Sequence, residues 1–247
     1  MSTKIIAEIG SNWEGDIELG KMYIKKSKES GAAFIKFQMW RAKDLYESSD
    51  PFWEDVKKSE LTESIAKELK NYADKIGINW FCSAFNPDAV DFLESINVSA
   101  YKIASWTAAL KHKFSFETIQ KIGKTKKPTF ISTGFGLDKE KIESQFQKGC
   151  IEYAYCVPNY PAQDNEINWK ELLKYDFFSD HTIGITMPIA YSLLKKTHMN
   201  KQDIFIEKHV KMNDSKGPDA PFSITYDELA NLVNHVNRID ALNINGL

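Results

Sequence analysis

Cysteine is scarce in this chain: three residues in 247, Cys82, Cys150 and Cys156, an odd number with no pair at CxxC spacing. That argues against a disulfide framework and a zinc ribbon, and it fits a reducing compartment. Long apolar runs are missing too. No stretch approaches the roughly 18 residues that a bilayer span needs. The opening MSTKIIAEIG passes into a strand-like run without the apolar region of a leader peptide. Charge of one sign is also lacking, since 32 Lys+Arg against 34 Asp+Glu leave −2, and the lysines are interleaved with acids rather than gathered in a stripe. Neither nucleic acid nor an acidic membrane is an expected partner. Linkers, low-complexity tracts and internal repeats are not found. The expectation is a cytoplasmic protein with one domain over residues 1–247.

What the chain does contain is alternation. Short apolar runs at Lys4–Ile9, Ala33–Gln38, Ile78–Ser83, Ala100–Ile103, Thr129–Ser132, Glu152–Cys156, Phe177–Ser179 and Ile204–Lys208 predict strands. Between them, helical spacing is expected over Ile17–Ser30, Glu60–Ile76, Asp88–Ile96, Phe114–Ile122, Lys139–Lys148 and Thr225–Ile239, with a further helix near Met187–Met199. Leu61, Ile65, Leu69, Tyr72 and Ile76 mark one helix face, and Gly31, Gly77 and Gly123 stand where helix ends turn left-handed. The tail Asn243–Leu247 is expected to fray. Eight strand–helix units at this length, with 43% hydrophobic residues, predict a single (β/α)₈ TIM barrel rather than an open sheet.

In such a barrel the chemistry sits at the C-terminal strand ends, and that is where the polar residues fall. Lys36 and Gln38 are two apart in FIKFQMW and face the same way; Lys102 repeats the situation in AYKIAS. An inward lysine is costly unless an anion or carboxylate meets it. The simpler alternative is a lysine that reaches outward or pairs with Glu8. Hydroxyls recur at the same level, at Ser83, Ser105, Ser132 with Thr133, and Ser179, and hydroxyls with lysines are the parts of a phosphate site. His181 and His209 end the seventh and eighth strands, neighbours able to share one divalent cation, although a lone histidine is more often structural. His112, His198 and His235 are assigned to the surface. Glu8, Asp180, Glu207 and Asp219 are nearby carboxylates that spacing alone does not rank. Trp13, Trp40, Trp106, Phe135 and Tyr160 occupy strand-end loops, where one or two are expected to wall a pocket.

Taken in order, IAEIGSNWEGD, GAAFIKFQ, FCSAFNPDAVDFLES, AYKIAS, FISTG, NYPA, FSDHTIGI, IEKHV and GPD resemble the barrel domain of the sialic acid synthase family, whose members condense phosphoenolpyruvate with an N-acetylmannosamine-type aldose. The resemblance implies Lys36, Ser83, Lys102, Ser105, Ser132 and Ser179 around phosphoenolpyruvate, His181 and His209 on Mn²⁺ or Mg²⁺, and Glu8, Gln38, Tyr160 and Asp219 on the sugar side. It casts Glu8, Lys36 and Lys102 as catalytic. Trp13 replaces a usual histidine, Trp106 a small residue, Pro158 a polar one and Ala220 a frequent histidine. The family's C-terminal antifreeze-like domain has no counterpart in these motifs, so a homodimer or a separate cap-domain protein is the expected partner. A lysine Schiff-base aldolase using Lys36 or Lys102, and a non-catalytic barrel that binds phosphoenolpyruvate or sugar, stay open as alternatives.

Overall fold

A computed structural model describes residues 2–198 and 203–243. Eight parallel strands follow one another around a sheet: β1 (Thr3–Glu8), β2 (Phe34–Met39), β3 (Asn79–Ala84), β4 (Tyr101–Ile103), β5 (Thr129–Ser132), β6 (Ile151–Tyr155), β7 (Phe177–Asp180) and β8 (Ile204–Lys211). Pairing of β1 with β8 closes the sheet into a (β/α)₈ barrel, and a short β9 (Ile224–Thr225) extends the edge of β8. Around it lie α1 (Ile17–Glu29), α2 (Ala42–Leu45), α3 (Trp53–Lys58), α4 (Glu63–Ile76), α5 (Pro87–Ser95), α6 (Ser105–Ala108), α7 (Ser115–Thr125), α8 (Lys139–Glu143), α9 (Trp169–Leu172), α10 (Thr186–His198) and α11 (Tyr226–Ala241). No described helix is long and apolar enough to cross a membrane.

Local chemistry accounts for the boundaries. Helix α4 opens at Glu63 rather than Glu60 because the Thr62 side chain accepts a bond from Ile65 N. Asn86 caps α5 and Pro87 occupies its first turn. Thr225 and Glu228 form a reciprocal capping box on α11. The expected left-handed ends occur at Gly31 and Gly77, but not at Gly123. That residue lies inside α7, where a Cβ would sit 2.0 Å from the backbone oxygen of Gln145; glycine is there for close approach, and Lys126 takes the left-handed position. Helix α8 stops at Glu143, short of the expected Lys148. Of the tail expected to fray, residues 244–247 lie outside the described residues, as does the end of the Met187–Met199 helix.

Alternation along each strand sorts the core into two shells. Outward residues such as Ile5, Ala7, Ile35, Phe37, Ile103, Ile131 and Ile206 pack under the helices. Inward, Ile6, Phe81, Phe130 and Phe177, with Phe34 and Phe205 against them, plug the N-terminal half of the barrel. Phe130 meets both Phe177 and Phe205 at 5.1 Å between ring centroids. The plug is a dry floor. Whatever stands two residues further along each strand faces the open, C-terminal half.

Candidate active site

The residues two positions past the plug are mostly polar and nearly all buried: Glu8, Lys36, Ser83, Lys102, Ser132, Cys156, Ser179 and Glu207. The register aligns Glu8 with both Lys36 and His209, which sets the ends of three adjacent strands at one level. Lys36 Nζ lies 2.5 Å from Glu8 Oε2 and 3.4 Å from Glu207 Oε2, and donates to Ser83 Oγ at 3.3 Å. Lys102 Nζ donates to Glu207 Oε1 at 2.9 Å, and Ser179 Oγ donates to the same oxygen at 2.8 Å. Gln38 Nε2 and Gly10 N both donate to Glu8 Oε1. Two lysines are thus held by two carboxylates over an aromatic floor. The alternative in which an inward lysine pairs with Glu8 is realised together with the convergence of the two lysines.

These contacts set the charges. Burial alone would raise the Glu207 carboxyl, but Lys102 and Lys36 outweigh it and hold it well below the ordinary carboxylate range. Burial lowers the Lys102 ammonium, with only partial compensation from Glu207. For Lys36, burial is outweighed by the attraction of Glu207 and Glu8, so its ammonium is favoured. Its partner Glu8 leans the other way: burial raises that carboxyl, against the pull of Lys36. Glu207, touched by both lysines, is therefore the principal counter-ion of the pair, and Glu8 the weaker one. Burial also raises the Cys156 thiol, which keeps it protonated.

The last two strands bring their histidines together, with ring centroids 5.9 Å apart at 61°. Burial lowers both imidazoles to about 4, and for His181 the neighbouring His209 acts in the same direction. Each is neutral at pH 7. His181 Nδ1 contacts Val157 O at 2.7 Å; a carbonyl only accepts, so Nδ1 carries the proton and Nε2 keeps its lone pair. His209 Nδ1 is buried with no hydrogen-bond partner. Neutral imidazoles with an orphaned nitrogen suit a divalent cation. Among the described residues no cluster of three His, Cys, Asp or Glu side chains could hold a metal, so such an ion would depend on these two and on substrate or water. Tyr160 covers His181 at 4.3 Å between centroids and Phe222 covers His209 at 4.9 Å.

A cavity of about 630 Å³ opens above this layer. Of the residues expected at the site, Lys36, Gln38, Lys102, Ser105, Ser132, Tyr160, Ser179, His181, His209 and Asp219 line it; Glu8 and Ser83 do not. Both of those are fully buried and act on Lys36 from behind. Asp180 faces the other side of β7 and forms a buried pair with Lys208 at 2.7 Å. Trp40, Trp106, Phe135 and Tyr160 wall the cavity, whereas Trp13 is a core residue packed edge-on to Phe37. His112 is not a surface residue: it is half-buried, bonded to Thr107 Oγ1 at 3.1 Å and stacked on Phe85. His235 stays on an exposed helix face, as expected. The side chain of His198 lies outside the described residues.

Three contributions went unassigned in the sequence. Glu207 was one of four unranked carboxylates, and the two-residue spacing from His209 already put both on one face. Cys156 follows Ala154 by the same rule. The wall built by Leu45, Tyr46, Asp50, Phe52 and Val56 had no signal, because the segment around α2 and α3 carries no clear period. Gly10 is where the end of β1 passes against the site: a Cβ there would lie 2.1 Å from Asp219 Oδ2 and 3.3 Å from His209 Cε1.

This chain belongs to the NeuB family, whose profile matches residues 23–246. It is 34% identical to an uncharacterised protein of Methanocaldococcus jannaschii, over 97% of this chain and 72% of that one. It is 29% identical to the pseudaminic acid synthase of Helicobacter pylori, over 95% and 74%. Its barrel superposes with a TM-score of 0.85 on N-acetylneuraminic acid synthetase from Leptospira borgpetersenii, crystallised with citrate, at 26% identity over 100% of this chain and 87% of that one.

Proposed function

We propose that this barrel is a phosphoenolpyruvate-dependent synthase that joins the donor to an aldose, giving a 2-keto-3-deoxy sugar acid and inorganic phosphate. The observation that carries this reading is the convergence of Lys36 and Lys102 with the neutral pair His181 and His209 on one cavity. C3 of phosphoenolpyruvate forms the new bond to the aldehyde carbon, whose oxygen takes a proton. Water adds at C2 and loses a proton, and the C2–O bond to phosphate then breaks as the ketone forms. Lys36 and Lys102 stabilise the negative charge of the donor throughout. Ser105 and Ser132 donate hydrogen bonds to its phosphate and carboxylate, Ser179 lines the same pocket with its proton given to Glu207, and Gln38, fixed by Glu8, orients the sugar. A Mn²⁺ or Mg²⁺ ion held by His181 and His209 would polarise the aldehyde. The aromatic walls keep bulk water from the reacting carbons.

Phosphate release from phosphoenolpyruvate, measured with and without Mn²⁺ across a panel of aldoses, tests this. Release that requires both one sugar and the metal is the expected result; none from any sugar would sink the reading. The burial-lowered Lys102 favours a second reading, imine formation with a keto-acid. Borohydride trapping with pyruvate decides it, and an unlabelled protein excludes it.

A further inference from the structure

Behind the imidazole pair, on the outer face of β7 and β8, lies a polar cluster that the cavity does not reach. Asp180, Thr182 and Lys208 are all buried, and none of them lines the cavity. Other strands put apolar residues such as Phe37, Ile103 and Ile131 on that face. A buried ion pair is no more stabilising than well-packed apolar side chains of similar volume; what it offers instead is one fixed register. Its place in the sheet shows which register. Backbone pairing between β7 and β8 ends at Asp180 opposite Lys208, and the next residues along the chain are His181 and His209. Lys208 Nζ lies 2.7 Å from Asp180 Oδ2 and also donates to Thr182 O, so it reaches one residue beyond His181. Thr182 N and Thr182 Oγ1 each donate to Asp180 Oδ1 at 2.9 Å, which closes the turn around the histidine. His181 O accepts from Ala162 N at 3.0 Å, and Val157 O holds the ring at Nδ1. His209 has no such hold on its ring, since its Nδ1 is without a partner. Its place relative to His181 is set through the strand that Lys208 anchors.

Resting on the synthase reading above and on its cation held by two histidines, we propose that Asp180 and Lys208 are positioning residues for that cation. The pair ties the backbone on both sides of His181 to the residue just before His209. The two imidazoles therefore keep one separation and one direction before any ion arrives. Removing support of this kind from behind ligating histidines lowers metal affinity by about 10–100-fold.

The test replaces the pair by apolar side chains of similar size, Asp180→Leu with Lys208→Met, which keeps the core filled while removing the tie. Mn²⁺ alone is titrated into each protein and free ion is read by electron paramagnetic resonance, with no turnover involved. Proton–nitrogen correlation spectra of the imidazoles, taken without metal, report the tautomer of His181, and circular dichroism checks the fold. The double variant is expected to fold, to bind Mn²⁺ about tenfold or more weaker, and to show mixed His181 tautomers where the wild type shows the Nδ1–H form. A smaller loss of Mn²⁺ affinity in the folded double variant, the result that a merely structural pair gives, overturns the inference and leaves the synthase reading standing. If the wild type itself binds no Mn²⁺, the metal in that reading fails, and the imidazole spectrum decides: mixed tautomers in the double variant uphold the inference, and a persisting single Nδ1–H form overturns it. Should the double variant not fold, Asp180→Asn, which keeps an oxygen for Thr182 N, takes its place and is judged by the same outcomes.

Discussion

Replacing Lys102 by Met and Glu207 by Gln, singly and together, probes the pair that organises the floor of the cavity. The two groups are 2% and 3% exposed and 2.9 Å apart. Removing one partner of a buried ion pair costs about 3–5 kcal/mol, because the other charge stays behind without compensation. The two singles are not equivalent. Lys102→Met leaves Glu207 with Ser179 at 2.8 Å and Lys36 at 3.4 Å, so its cost belongs near the lower bound, about 3 kcal/mol. Glu207→Gln leaves Lys102 without its carboxylate while Lys36 keeps Glu8, and its cost belongs nearer about 5 kcal/mol. For a chain of this length each kcal/mol moves Tm by about 2–4 °C, giving losses of roughly 6–12 °C and 10–20 °C. The double variant removes both charges and should lose less than the sum, with a coupling of at least about 2 kcal/mol. Urea denaturation followed by circular dichroism measures all four corners of the cycle. A coupling below about 0.5 kcal/mol, the range of independent sites, would refute the claim that these charges are paired and desolvated.

His181→Ala is expected to abolish Mn²⁺-dependent phosphate release while the circular dichroism spectrum stays unchanged; full activity in that variant would overturn the metal assignment. Trp13→Ala, which empties a position 1% exposed against Phe37, should cost about 3–5 kcal/mol in denaturant and leave the KM for phosphoenolpyruvate unchanged. A shifted KM would show that Trp13 reaches the cavity after all. Gly123→Ala pushes a Cβ to 2.0 Å from Gln145 O and should destabilise by about 1–3 kcal/mol; a neutral outcome would remove the close-approach explanation for that glycine.

The barrel was legible because its pattern is redundant. Eight apolar runs separated by amphipathic helices admit few arrangements, and strand errors of one residue, as at β1 or β3, do not change which side chains face inward. The same alternation made Lys36, Lys102, His181 and His209 visible as inward residues. What it did not supply was depth. Ser83 and Lys36 both point inward, yet only Lys36 reaches the cavity, although Ser132 and Ser179, as short as Ser83, line it; Ser83 and Glu8 are taken up by Lys36 itself, a contact that spacing does not encode. Trp13 misleads for a related reason. A loop tryptophan looks like a pocket wall, but the turn after β1 folds it back onto Phe37. The wall from Leu45 to Val56 was invisible because short irregular helices are fixed by tertiary contacts such as Glu60 accepting from Ala42 N at 2.6 Å, not by any local period.

The floor's charge balance bears on how the donor is bound. A lysine above an aromatic plug cannot keep its hydration, so the fold has to supply Glu8 and Glu207 as counter-ions. The desolvation cost of Lys36 and Lys102 is thereby met on folding, and an arriving anion finds donors already oriented. The consequence is that two ammonium groups and two carboxylates leave the floor close to neutral, and Glu207 repels the ligand that Lys102 attracts. On the proposed function a multiply charged donor needs more positive charge than the lysines offer, and a cation held by the neutral imidazoles of His181 and His209 would supply it. Donor affinity should depend on the metal even without a sugar present. Calorimetric titration of phosphoenolpyruvate in Mn²⁺ and again in EDTA is expected to show a loss of about tenfold or more, corresponding to at least about 1.4 kcal/mol. Equal affinity in the two buffers would mean that the lysines suffice, with the imidazole pair serving the sugar alone.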